Sequence, residues 1–81
     1  MTEVVLYGKA GCCLCDEAKA EIERARARRP FALREVDVSL DPVLNRVYGE
    51  RIPVVEVGGV EAFEYHVEAE ALLEAIGTVA S

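Results

Sequence analysis

Four apolar residues in a row, Val4-Val5-Leu6-Tyr7, stand near the start of the chain and run into Gly8. The run shows no alternation of apolar and polar side chains. A strand with one face in water alternates, whereas a strand covered on both faces does not. Glu3 to Tyr7 is therefore expected to be a buried strand with structure packed on either side. The chain has 81 residues, about the size of one small domain. The covering elements must come from the residues that follow, and residues 1–81 are read as a single domain. A chain this short buries only about 60–65% of its unfolded surface. A thin core and no large enclosed active-site cavity are expected.

Those residues supply the cover. Cys15, Ala18, Ile22 and Ala25 recur at steps of three and four, which predicts a helix with one apolar face. Asp16 and Glu17 fall in its first turn, and Arg24, Arg26, Arg28 and Arg29 crowd its end before Pro30. That polarity suits the helix dipole, and the proline is a natural stop. Phe31 to Val38 reads as a second strand. Asp41-Pro42 reads as an N-cap followed by proline at the first helical position. Val43, Leu44, Val47 and Tyr48 give this short helix its apolar side, and Gly49 ends it. Pro53 to Val57 and Val60 to Tyr65 are strands joined by Gly58-Gly59, a two-residue hairpin signal. Ala69, Leu72, Leu73 and Ile76 mark a last helix, with Gly77 as its expected stop. The order is βαβαββα. Its alternating first half implies parallel strands joined by helical crossovers, and the hairpin adds an antiparallel edge. The expected class is α/β, with a four-stranded mixed sheet and three helices.

Charge and composition exclude several roles. The net charge is −6, without the Lys and Arg excess that a polyanion would need, so no nucleic acid partner is expected. No apolar run reaches about 18 residues, so no membrane span is expected. The start, Met1-Thr2-Glu3-Val4-Val5, lacks the basic and apolar stretches of a secretory leader. A cytoplasmic location and a monomeric chain are the expectations.

The three cysteines, Cys12, Cys13 and Cys15, lie within one short segment. Disulfide-stapled secreted domains spread their cysteines to close loops. Crowded thiols point instead to chemistry or metal binding. Cys12-x-x-Cys15 falls where a strand and loop hand over to a helix. Residues i and i+3 of a first helical turn are neighbours, roughly 5–6 Å apart at Cβ, near disulfide range. The unpaired N–H groups and partial positive charge of a helix start would stabilise a thiolate at Cys12. Asp16 and Glu17 oppose that effect, and Lys9 and Lys19 favour it. Cys15 falls on the apolar face, which suits a resolving thiol. The predicted chemistry is thiol–disulfide exchange. Cys12 attacks a substrate disulfide, and Cys15 then attacks Cys12 to release the reduced substrate.

With these pieces in place, nearly the whole chain resembles a glutaredoxin-like member of the thioredoxin superfamily. The matching stretches are Tyr7-Gly8-Lys9-Ala10-Gly11-Cys12-x-x-Cys15 and Arg51-Ile52-Pro53-Val54-Val55, followed by Gly58-Gly59. The resemblance implies a thioredoxin/glutaredoxin-like fold and a thiol–disulfide oxidoreductase. It implies a cis peptide bond before Pro53, which faces the cysteine pair. It also implies that the backbone of Ile52 pairs with the substrate chain as an added strand, and that Lys9 helps hold a glutathione carboxylate. Substrates would be protein disulfides or glutathione mixed disulfides, with a reductase or glutathione as electron donor and no resident cofactor or metal. The chain departs from the family in three places. Cys13-Leu14 stands where Pro-Tyr is common, and Arg51-Ile52 stands where Thr-Val is usual. Phe63-Glu64-Tyr65-His66-Val67 lacks the glycine pair that precedes the acidic grip on the glutathione amino end. An atypical member fits better than a standard glutathione-dependent one.

Other readings remain at this stage. Cys12, Cys13 and Cys15 are soft ligands for an iron–sulfur cluster or metal, although a structural zinc site usually draws four ligands from two separated pairs. A redox-inert interaction module is the third reading. Cys13 reads as an exposed bystander. His66, Tyr7, Tyr48 and Tyr65 read as surface, capping or packing residues.

Overall fold

A computed structural model describes residues 2–80, with side chains through Gly77. Met1 and Ser81, the ends of the expected domain, lie outside the described residues. The elements are β1 (Glu3–Gly8), α1 (Cys13–Arg28), β2 (Ala32–Asp37), α2 (Pro42–Tyr48), β3 (Val54–Val57), β4 (Val60–Glu64) and α3 (Ala69–Ala80), with a 3-10 turn at Val38–Leu40. The strands form one sheet in the order β2-β1-β3-β4. β1 lies inside it, parallel to β2 and antiparallel to β3. This is the expected mixed sheet with three helices.

The missing alternation in β1 has a direct cause. Val4 and Leu6 join Ala18, Ile22 and Ala25 of α1 and Leu72 and Ile76 of α3 in one buried cluster. Val5 and Tyr7 point to the opposite face, into a smaller cluster with Cys15, Val38, Ile52 and Val54. Ile22 and Leu72 are wholly buried, each contributing about 1.5–3 kcal/mol relative to an exposed side chain. The smaller cluster is the one that reaches the cysteines.

α1 follows its expected pattern. Its buried residues are Cys15, Ala18, Ile22 and Ala25, and the Arg29 N–H closes its end on the Ala25 carbonyl. The hairpin also follows, with Gly58 at φ 61 and Gly59 at φ 86, backbone that glycine adopts without steric cost.

Three expectations are corrected. The antiparallel part is larger than an edge, because β3 itself runs against β1. α2 has seven residues, spanning about 10 Å, roughly half the length of a six-residue strand. The chain therefore re-enters the sheet at the end it left. Next, Gly77 does not stop α3, which continues to Ala80. A Cβ at Gly77 would sit 3.5 Å from Arg29 Nη1, an ordinary contact, and the helix runs through the glycine. Finally, α2 buries none of its residues fully. Leu44 and Tyr48 pack against the small cluster, while Val43 and Val47 are 66% and 48% exposed. As a two-turn helix, α2 turns only its i, i+4 pair Leu44 and Tyr48 inward, with the Tyr48 ring stacked on Tyr7 of β1.

Candidate functional site

β1 delivers the chain to the loop of Lys9, Ala10 and Gly11, and Gly11 at φ 78 turns it into α1. Cys12 is not in the first helical turn, as the spacing predicts, but one place earlier, as the N-cap with φ −93 and ψ 114. Its sulfur accepts the Cys15 N–H at 3.3 Å, and its carbonyl accepts the Asp16 N–H at 3.1 Å. The cap oxygen of a Ser, Thr, Asp or Asn usually takes this N–H. Here a half-buried sulfur does so, at the positive end of the helix.

Cys15 lies behind it and is 7% exposed. Burial pushes its thiol up to about 11 from an ordinary 9.0. A hydrogen bond to the Cys12 sulfur and the charges of Cys12 and Asp16 add to the rise, while a backbone hydrogen bond from Lys9 pulls the other way. Cys15 thus holds its proton firmly beside Cys12. A Cβ at Gly8 would stand 2.9 Å from Cys15 Sγ, so the missing side chain there is what lets the sulfur sit against β1. Cys13 is exposed, and all three cysteines are free thiols.

The Ile52–Pro53 bond is cis. Ile52 is in the same small cluster as Cys15, and Cys12 packs against that cluster. Pro53 is fully buried, and its carbonyl accepts the Tyr65 N–H at 2.8 Å. Among the described residues, no backbone hydrogen bond runs to or from Ile52. Cys12, Cys15 and Ile52 thus meet at one cluster, with Pro53 next to Ile52 in the chain. Lys9 is exposed and lines an open groove of about 350 Å³ with Cys15, Asp16, Lys19, Glu35 and Asp37. Lys19 and Glu35 pair at 3.3 Å in its wall. A second open groove, about 400 Å³, runs past Leu14, Glu17, Glu21, Tyr65, His66 and Glu68.

Sequence reasoning passed over a polar network on the α2 side of the sheet. Tyr7 Oη donates to Glu56 Oε1 at 3.1 Å, and Tyr48 Oη donates to Glu56 Oε2 at 3.4 Å. The two rings stack with centroids 4.3 Å apart. Burial and the Glu56 carboxylate push the Tyr7 phenol up to about 12, and the same causes raise Tyr48. The Arg51 guanidinium lies 5.8 Å over the Tyr48 ring. The one sequence signal was a glutamate inside an otherwise apolar strand, Val54-Val55-Glu56-Val57. Gly8 was read only as a strand end.

Among the described residues, no group of three or more His, Cys, Asp or Glu side chains is arranged to hold a metal ion. No helix among them is long and apolar enough to cross a membrane.

The chain is similar to several solved structures. One is the target protein XcR50 from X. campestris, with 28% identity, 93% of this chain and 96% of that chain covered, and a TM-score of 0.78. Another is protein Ne2328 from Nitrosomonas europaea, with 25% identity, 91% and 89% coverage, and a TM-score of 0.78. A thioredoxin from Halobacterium salinarum shares the fold at 19% identity, with 99% and 75% coverage and a TM-score of 0.73. No curated protein sequence matches the chain. The sheet order and helices are those of the thioredoxin-like α/β fold. The model of the glutaredoxin-like domain (DUF836) matches residues 3–77, so the chain belongs to that glutaredoxin-like family.

Proposed function

We propose that the protein is a thiol–disulfide oxidoreductase in which Cys12 attacks and Cys15 resolves. The observation that carries this reading is the inequality of the two sulfurs. Cys12 is half-buried at the helix start and accepts an N–H, whereas Cys15 is buried and keeps its proton. A nucleophile needs access and a stabilised anion. A resolving thiol needs proximity and must stay inactive until the first step is complete.

The electron balance is simple. The Cys12 thiolate attacks one sulfur of a substrate disulfide. One S–S bond forms, the old one breaks, and the departing thiolate takes a proton. Once Cys12 is tied up in the mixed disulfide, its negative charge is gone, and with it one cause of the high Cys15 value. Cys15 then loses its proton and attacks Cys12 Sγ. The Cys12–Cys15 disulfide forms and the second substrate thiol leaves. The substrate has gained two electrons. An external dithiol or two glutathione molecules restore the pair.

Ile52 supports the substrate assignment. Among the described residues its backbone groups have no hydrogen-bond partner, and they lie beside the cysteines, so an extended peptide can add to them as a strand. Pro53 sets that backbone, and Lys9 offers a cation to a carboxylate or a C-terminal residue. A protein disulfide fits better than glutathione, because the stretch Phe63-Glu64-Tyr65-His66-Val67 before the last helix lacks the family's glycine pair. The chain works as a monomer in a reducing compartment, the cytoplasm, without a resident cofactor. The test is a thiol count on the monomer after defined oxidation. The expected result is loss of two thiols, mapped to Cys12 and Cys15, together with turnover of a protein disulfide. Three free thiols after oxidation would overturn the reading.

A further inference from the structure

Arg51 stands where the family resemblance implies a small polar residue, directly before Ile52. Its backbone N–H donates to the Tyr48 carbonyl at 2.8 Å. Nε donates to Glu64 Oε2 at 2.9 Å, and Nη2 bonds Glu61 Oε1, both on β4. The guanidinium plane lies over Tyr48, whose hydroxyl is held by Glu56 of β3 together with that of Tyr7 from β1. The two glutamates together raise the Arg51 guanidinium further above its ordinary value, which keeps the charge fixed.

One residue thus ties the 49–52 loop to β4 and, through Tyr48, to β1 and β3. Exposed ion pairs add little to the stability of a fold, so such a network is poorly explained as a global staple. It does act locally, on a backbone that has no hydrogen bond among the described residues: the Ile52 side chain is packed in the small cluster, and its main chain is steadied by its neighbour. We infer that Arg51 is a positioning residue, which holds the Ile52 backbone in the extended geometry that receives the substrate strand. The inference rests on the reading of Ile52 as the strand-pairing residue. It adds that the Arg51–Glu61–Glu64 strut sets how well a peptide disulfide is held without taking part in sulfur chemistry.

The experiment uses the full chain, a synthetic peptide with an internal disulfide, and dithiothreitol as reductant. Arg51→Met and the pair Glu61→Gln with Glu64→Gln are compared with wild type. The expected result is a KM about three- to tenfold higher in both, with kcat within about twofold. Combining all three changes adds nothing further, because they break one strut. Arg51→Lys gives an intermediate KM, since a lysine keeps the charge but loses the fork. Cys12 alkylation by iodoacetamide is unchanged throughout. Backbone NMR relaxation supplies an activity-free readout: the Ile52 order parameter falls from about 0.85 toward about 0.6 in both variants. A raised KM in Arg51→Met alone, with Ile52 still ordered, would mean direct contact with substrate and would overturn the strut. An unchanged KM would overturn it as well. If wild type reduces no disulfide, the functional reading falls, and the Ile52 order parameter by itself decides the strut.

Discussion

Replacing Gly8 with alanine sets two physical effects of opposite sign against each other. Gly8 has an ordinary negative φ, unlike Gly11, Gly58 and Gly59. Alanine can adopt such backbone, and by itself the loss of glycine freedom in the unfolded chain would stabilise by about 0.4–1 kcal/mol. Against that, the new Cβ would meet Cys15 Sγ at 2.9 Å and Cys15 Cβ at 3.3 Å. Carbon and sulfur need nearly an ångström more. Cys15 cannot retreat, because it is packed with Tyr7, Ile52 and Val54. Overpacking of this kind costs about 1–3 kcal/mol. The difference is a net loss of about 0.5–2 kcal/mol. The cysteine has a single side-chain torsion, so its other way out is to swing the sulfur off its present line to Cys12. Either outcome slows closure of the Cys12–Cys15 disulfide more than it lowers stability. Urea denaturation of Gly8→Ala measures the first effect. The rate of thiol loss under a fixed oxidant measures the second. Adding Cys15→Ala removes the clashing sulfur, so the double variant should lose less than the sum of the two single changes. A Gly8→Ala protein as stable as wild type, closing its disulfide at the same rate, would refute the claim that Gly8 is there to seat Cys15.

Other expectations follow from the same geometry. Cys15→Ser should accumulate a mixed disulfide through Cys12, visible as a mass adduct with a peptide substrate; no adduct would remove Cys12 as the attacking sulfur. Burial raises Cys15 from 9.0 to about 11 and Tyr7 from 10.0 to about 12. Both groups hold their protons more tightly in the folded state than in the unfolded one, so stability is full below the unfolded values and is lost as pH climbs through the folded ones. A urea midpoint that stays flat from about pH 8 to about pH 12 would contradict this. Asp41 caps α2 by accepting the N–H groups of Val43 at 2.9 Å and Leu44 at 3.3 Å. Asp41→Ala should cost about 1 kcal/mol by urea denaturation, and an unchanged midpoint would show that α2 needs no cap. Leu72→Ala, at a fully buried position, should cost about 2–5 kcal/mol by the same measurement.

How much of this was legible depends on the range of the signal. The β1 run announced its own burial because both of its faces are covered within the fold. The α1 periodicity named the buried residues, Cys15 among them. Local chemistry also gave the Asp41 cap and the Gly58-Gly59 turn. What failed was information held in distance. The direction of β3 depends on where a short helix re-enters the sheet, which no window of sequence records. The fate of Val43 and Val47 depends on α2 touching the sheet along only one row. Gly77 looks like a stop by composition, yet α3 runs through it with Arg29 close by. The cysteine spacing was read as a helical i, i+3 pair, whereas the first sulfur stands just outside the helix as its cap. Gly8, Glu56 and Arg51 were the least legible. Their partners are Cys15, the tyrosines on β1 and α2, and the glutamates of β4. None of these pairings has a sequence period.

Tyr65 adopts a left-handed backbone with φ 68, a shape that suits glycine far better than a bulky side chain. Its amide is bound to the Pro53 carbonyl and its hydroxyl to the Glu50 carbonyl at 3.2 Å. A tyrosine therefore holds a bend that a glycine would make more easily. The residue remains 42% exposed and forms part of the groove wall beside Leu14 and His66. A phenol at the rim of that groove narrows it more than a glycine at the same place would.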